Sequence, residues 1–262
     1  MRRETRPYEV NTGETDQVYE RYLNEICRSV ARGNPVQVME RARRGFESVE
    51  VEGRGERPVI GMVGEIFVRA NRFSNDSIVH QIEDLGGEVW AAPVYEWALY
   101  TNLTYAWHAK VDGSWRKFLK EFIIDRIEKH QEHLLLKPLE GFLRNLEEPR
   151  TKEVLRLAAP YLDPSFEGEA GLSLGKAVDF ARKGVSGVVS VMPFTCLPGT
   201  VVSAVSKKMR EDYQNIPWLN MAYDGLERGT SRTRLEAFMY QAHQYKQRIR
   251  EIGIDVDRTS EA

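Results

Sequence analysis

Cysteine is nearly absent: Cys27 and Cys196 are the two thiols in 262 residues, too few for a disulfide framework. Charge of either sign is not in excess. With 37 Lys and Arg against 39 Asp and Glu, the formal net charge is −2, which gives no electrostatic case for nucleic acid or a membrane surface as partner. No apolar run approaches the roughly 20 residues that a spanning helix needs. The start, Met1-Arg2-Arg3-Glu4-Thr5-Arg6-Pro7, carries positive charge but no apolar segment of the kind a secretory signal has. Internal repeats and low-complexity stretches are also missing. Composition thus leads us to expect a cytoplasmic protein with reduced thiols.

What is present changes character along the chain. Up to about Glu52 the pattern is helical. Val18, Tyr19, Tyr22, Leu23, Ile26, Cys27 and Val30 recur at three- and four-residue spacing, one apolar stripe in which Cys27 is expected to be a packed core thiol. Asn34-Pro35 opens a second helix with a capping residue and a proline at the first position. After the polar break Gly53-Arg54-Gly55-Glu56-Arg57-Pro58, the run Val59–Val63 reads as a strand covered on both faces. A helix carrying Ile78, Ile82 and Leu85, capped by Ser74 or Asn75 and stopped by Gly86-Gly87, leads to a second strand at Glu88–Ala92. This β-α-β unit implies a right-handed crossover.

Helical patterns then interrupt the alternation from about Val94 to Leu162. Trp115, Phe118, Leu119, Phe122 and Ile123 form one helix face, and Pro138 closes the run. His130 and His133 lie one turn apart among Glu128, Lys129, Gln131 and Glu132, the composition of a solvated face. Alternation resumes with a helix through Leu174, Ala177, Val178 and Ala181, a strand at Gly187–Val191, a helix after Cys196, a strand at Trp218–Met221 and a final helix carrying Leu235, Phe238, Met239, Ala242 and Tyr245. The expected fold class is α/β: a flavodoxin-like, four-stranded, mainly parallel sheet with helices on both faces, strand order 2-1-3-4, a helical insertion and an N-terminal helical segment. The expected division is an N-terminal segment over 1–56, an α/β domain over 57–250 with its insertion at about 94–162, and a tail over 251–262.

The most informative stretch is Met192-Pro193-Phe194-Thr195-Cys196-Leu197-Pro198-Gly199-Thr200. It places Cys196 on the turn from a strand's carboxyl end into a helix, where free N–H groups and the helix dipole favour an anionic sulfur. Open α/β sheets bind ligands along that same edge. A parallel sheet brings Gly64-Glu65-Ile66-Phe67 and Arg69-Ala70-Asn71 to the edge from strand one, and Pro93 with Glu96-Trp97 from strand two. Thr195-Cys196 arrive from strand three, Tyr223-Asp224-Gly225 from strand four, and Glu169 from a neighbouring helix start. The pocket residues expected there are Glu65, Phe67, Asn71, Glu169, Thr195 and Asp224.

Several thiol chemistries are excluded by the residues around Cys196. A phosphatase-type loop needs an arginine six positions later, where Val202 stands. A redox Cys-x-x-Cys pair would need a second cysteine at Gly199. None of His80, His108, His130, His133 or His243 is a strand-end residue able to serve as a base. A ligating thiolate remains, although an iron–sulfur cluster needs three or four ligands and one cysteine cannot hold it alone.

The segments Val63-Gly64-Glu65-Ile66-Phe67-Val68-Arg69, Asn71–Asp76, Leu85–Val89, Ala92–Trp97, Gly168-Glu169-Ala170, Val191–Thr200, Ala222–Gly225 and Thr233–Phe238 together resemble the 2-hydroxyacyl-CoA dehydratase D-component family and its activase-related members. The likeness runs over roughly residues 58 to 245. It implies tandem flavodoxin-like domains holding a [4Fe-4S] or double-cubane cluster through cysteines from more than one domain, with Cys196 at a ligand position. It further implies an ATP-dependent activase as electron donor, a ketyl-radical dehydration of an acyl-CoA and an anaerobic metabolism. The chain departs from the pattern in supplying a single matching cysteine, so the implied partner is a cysteine-bearing companion subunit or domain. Arg228, Arg232 and Arg234, gathered at the start of the last helix, are the candidate anion contacts, for a CoA phosphate or an acidic partner surface. The alternative is a non-catalytic binding or scaffolding module that keeps the fold without a cluster.

Overall fold

The computed structural model describes residues 1–31, 33–146, 148–224 and 229–251. It divides into two compact units. One comprises Met1–Arg54 with Ala98–Glu148, the other Gly55–Trp97 with Pro149–Ala262. The second unit holds the sheet.

Its four strands are β1 (Val59–Gly64), β2 (Glu88–Ala91), β3 (Gly187–Pro193) and β4 (Trp218–Tyr223). All pairings are parallel, in the order β2-β1-β3-β4, as the sequence pattern leads one to expect. Register is set by alternation. Ile60 and Met62 of β1, Val189 and Val191 of β3, and Leu219 and Met221 of β4 point into one cluster with Ile78, Ile82, Leu235, Phe238 and Met239. Val63 and Val188 point the other way, against Leu174, Ala177, Phe180 and Met209. Strands buried on both faces read as unbroken apolar runs for this reason.

The helices of this unit follow from the same pattern. The first face is covered by α5 (Ile78–Asp84) and α11 (Gly229–Glu251). The second is covered by α8 (Thr151–Ala158), α9 (Glu169–Arg182) and α10 (Leu197–Asp212). A short α4 (Ile66–Ala70) follows β1 directly. The α5 helix begins after Ser77, three residues beyond the expected cap Ser74, although Asn75 Oδ1 accepts the Ile78 N–H at 3.4 Å. Helix α9 is buried along most of its length and contains Lys176 at 0% exposure. That ammonium is held by Asp179 at 3.0 Å and lies over the Phe180 ring, so the buried charge has both an ion pair and an aromatic face.

The other unit is helical: α1 (Arg2–Thr5), α2 (Glu14–Val30), α3 (Pro35–Glu47), most of α6 (Glu96–Val111) and α7 (Trp115–Leu136). Here the expectation for Cys27 is corrected: its thiol is exposed. Tyr22 packs directly on Gly45 of α3. Cys27, five residues on, is rotated roughly 140° from that contact at about 100° per residue. Leu23 and Val30 are exposed too, because the stripe is wider than the α2–α3 seam.

Candidate functional site

The sheet's carboxyl edge is built from the register upward. Gly64 pairs with Val191, and Pro193 with Tyr223. The next residues therefore leave neighbouring strands side by side. The Glu65 N–H donates to the Val191 carbonyl at 2.9 Å, and the Phe194 N–H donates to the Tyr223 carbonyl at 2.9 Å. Glu65, the turn to Cys196, and Asp224 thus emerge along one edge.

Glu65 then caps α4. Its carboxylate accepts the Phe67 N–H at 3.1 Å and the Val68 N–H at 2.7 Å, satisfying donors that the helix start leaves open. The remaining N–H of that turn, from Ile66, is taken by Glu169 Oε1 at 3.3 Å. One hydrogen bond therefore joins the starts of α4 and α9, 103 positions apart. Asn71 Oδ1 accepts from Phe73 N and Ser74 N, each at 3.0 Å. The expected pocket polar groups Glu65, Glu169 and Asn71 are all engaged with backbone N–H groups, while Phe67 is exposed and Asp224 half-buried just after β4.

Arg69 is the residue whose importance the pattern did not show. It lies one helical turn after Glu65, is 7% exposed, and its Nε has no hydrogen-bond partner. Burial lowers its pKa, opposed by the nearby charges of Glu96, Glu169 and Glu65. A cation surrounded by three carboxylates is an electrostatic hub for the edge. The four-residue spacing from Glu65 was the available signal. Nothing in the sequence pattern indicated that the arginine points inward.

Glu169 carries the opposite shift. Burial raises its pKa, and Glu65 adds to the rise, against the pull of the Ile66 N–H and Arg69. An acid raised above its ordinary value of 4.5 keeps its proton longer in the folded chain than in the unfolded one. Its contribution to stability is full below 4.5 and is lost as pH rises through the folded value. Glu169→Gln, which retains an oxygen for Ile66, is therefore expected to gain stability relative to the native chain as pH rises above that window. Urea midpoints from pH about 4 to 7 check this. A difference independent of pH would refute it.

Cys196 sits at the N-cap of α10, in extended conformation (φ −67°, ψ 117°), and its Sγ accepts the Gly199 N–H at 3.4 Å. The sulfur occupies the position usually filled by a serine or aspartate oxygen. Thr195 precedes it at φ 63°, with its hydroxyl donating to the Phe194 carbonyl at 2.6 Å. A β-branched residue in the left-handed region is strained, and here it turns the chain so that Cys196 caps the helix. Cys196 is half-buried, and Phe194 and Leu197 on either side of it in the chain are exposed.

The candidate anion contacts are otherwise engaged or outside the described residues. Arg232 pairs with Glu236 at 3.0 Å on an exposed turn, and Arg234 donates to the Asn220 carbonyl at 2.7 Å. Arg228 lies outside the described residues. Among the described residues no group of three or more His, Cys, Asp or Glu is arranged to hold a metal ion. The edge thus offers one sulfur donor, and the chain's own residues do not fit a complete iron–sulfur cluster. Among the described residues no helix is long and apolar enough to cross a membrane. The chain matches no family model, and neither a curated protein nor a solved structure matches it.

Proposed function

We propose that the chain is the iron–sulfur half-site of a redox system of the 2-hydroxyacyl-CoA dehydratase and activase-related kind. Cys196 would supply one ligand, a cysteine-bearing companion subunit the others, and an ATP-dependent activase the electrons. The reading rests on one observation: a half-buried thiol caps a helix at the carboxyl edge of a parallel sheet. Such edges are where open α/β sheets receive ligands. On the segments that leave β1 and β3 at this edge, Phe67, Phe73, Phe194 and Leu197 are exposed, apolar area suited to a docked companion.

When bound, the cluster would supply one-electron chemistry. This chain's contribution is to hold a sulfur at a fixed place, at the N-cap of α10. Glu65 and Glu169 fix the α4 and α9 starts behind it, and Arg69 balances their charge. Both thiols are free, which suits a reducing cytoplasm. An acyl-CoA is the substrate class that the resemblance implies.

A second reading is favoured by a specific feature. Glu65, Asn71 and Glu169 all accept backbone N–H groups, at a helix start or a turn, as they would in a non-catalytic binding or scaffolding module. Anaerobic reconstitution followed by iron and sulfide analysis separates the two. The chain alone should take up little iron, and the chain with a cysteine-bearing companion should take up a stoichiometric cluster. A companion complex without iron would favour the scaffolding module.

A further inference from the structure

Helix α7 has no buried residue in its 22 positions. It is tied to α6 by Asn102 Nδ2 donating to Glu128 Oε2 at 2.7 Å. The tip of this hairpin is unusual in what it exposes. Val111 is 69% exposed, Trp115 67% and Phe122 53%, with Phe118 and Leu119 open beside them. At about 100° per residue, Trp115, Phe118, Leu119, Phe122 and Ile123 fall within an arc of roughly 140°. Arg116, Lys117 and Lys120 fall on the adjoining arc.

The charge at the tip is one-sided. From Lys110 to Ile123, the span of the apolar face, the chain carries four cations, Lys110, Arg116, Lys117 and Lys120, against the two carboxylates of Asp112 and Glu121. The Arg116 guanidinium lies 5.5 Å from the Trp115 ring centre. The chain-wide net charge of −2 averages this local excess away. An aromatic and aliphatic face bordered along one side by cations, with Glu121 and Asp125 toward the other, is compatible with a helix that lies in a lipid interface, its rings at headgroup level and its cations toward anionic lipids.

We propose that the α6–α7 tip seats this chain on an anionic lipid surface. A second copy is disfavoured as occupant, because closing two such tips together sets four cations against four. A lipid surface matches both the apolar face and the charge. The proposal is independent of the role of Cys196.

Sedimentation with vesicles tests it on the full chain. Phosphatidylcholine vesicles with about 30% phosphatidylserine are compared with phosphatidylcholine alone, at about 0.1 M and about 0.5 M salt. Binding is expected with the anionic vesicles alone, weakened at least about tenfold by the higher salt. The exposed-site variants Lys117→Glu/Lys120→Glu and Trp115→Ala/Phe118→Ala should each lower it by about tenfold or more, with unchanged circular dichroism. Absence of binding to either vesicle, or equal binding to both, would overturn the proposal. So would a dimer that the Trp115→Ala/Phe118→Ala variant dissociates, since a second copy would then cover the face.

Discussion

Replacing Gly64 by alanine is expected to lower the stability of the chain by about 2–6 kcal/mol. Two effects add. Gly64 has φ 114°, a conformation in which a side chain is strained by about 1–3 kcal/mol. A Cβ there would also run into the Val191 backbone, and relieving such overpacking typically costs about 1–3 kcal/mol more. The collision is with backbone, so no side chain can move aside. The shift would fall on the β1–β3 pairing and on the Glu65 N–H bond to Val191, loosening the edge that carries the candidate site.

A control is built into the fold. Gly168 has nearly the same φ, 113°, but nothing lies within 4 Å of its added Cβ. Gly168→Ala should therefore show the backbone strain without the collision. Thermal unfolding followed by circular dichroism should place the Gly64→Ala midpoint well below that of Gly168→Ala, by several degrees at about 2–4 °C per kcal/mol. Equal midpoints would mean that the close approach of β1 to β3 is not as described.

Loss of the Cys196 sulfur should have the largest functional effect. Changes in the outer shell of a metal site already cost about 10- to 100-fold in metal affinity. Removing a ligand with Cys196→Ser should therefore lower iron retained by the reconstituted companion complex by at least that factor. Serine is a good helix cap, so α10 should keep its start and the variant its fold. Cys27→Ser, an exposed position on α2, should leave the iron content unchanged. If Cys196→Ser retains iron and activity at the native level, the redox reading fails.

Much of the architecture was legible because it rests on strong local patterns. Val59–Val63 is a continuous apolar run and Gly187–Val191 a valine-rich one interrupted by Ser190, and both are strands. Their order follows from one crossover on each side of β1. The strands run one or two residues beyond the apolar runs, to Gly64, Pro193 and Tyr223, because backbone pairing continues where side chains have already turned toward the edge. The position of Cys196 as a helix cap was readable from Pro198 and Gly199 for a similar reason.

What was not legible depended on tertiary packing. An apolar stripe says that a helix has a partner face, but not how wide that partner is. Cys27 and Leu23 are exposed because α3 covers only part of the stripe. The same limit applies to α7, whose apolar face is clear in the sequence and lies uncovered in the structure. Arg69 shows the reverse case, a charged residue drawn inside by Glu65, Glu96 and Glu169, which no periodicity reports.

The most direct test asks whether the Cys196 sulfur is reachable in the folded chain. Iodoacetamide alkylation of the native protein, resolved peptide by peptide by mass spectrometry, reads this without needing a partner. Cys196 should be labelled without denaturant, at a rate that mild urea leaves unchanged, and should become protected when a companion complex is reconstituted with iron. Labelling that appears only when the protein unfolds would contradict the account, because a sulfur sealed in the native state has nothing to offer a partner's cluster.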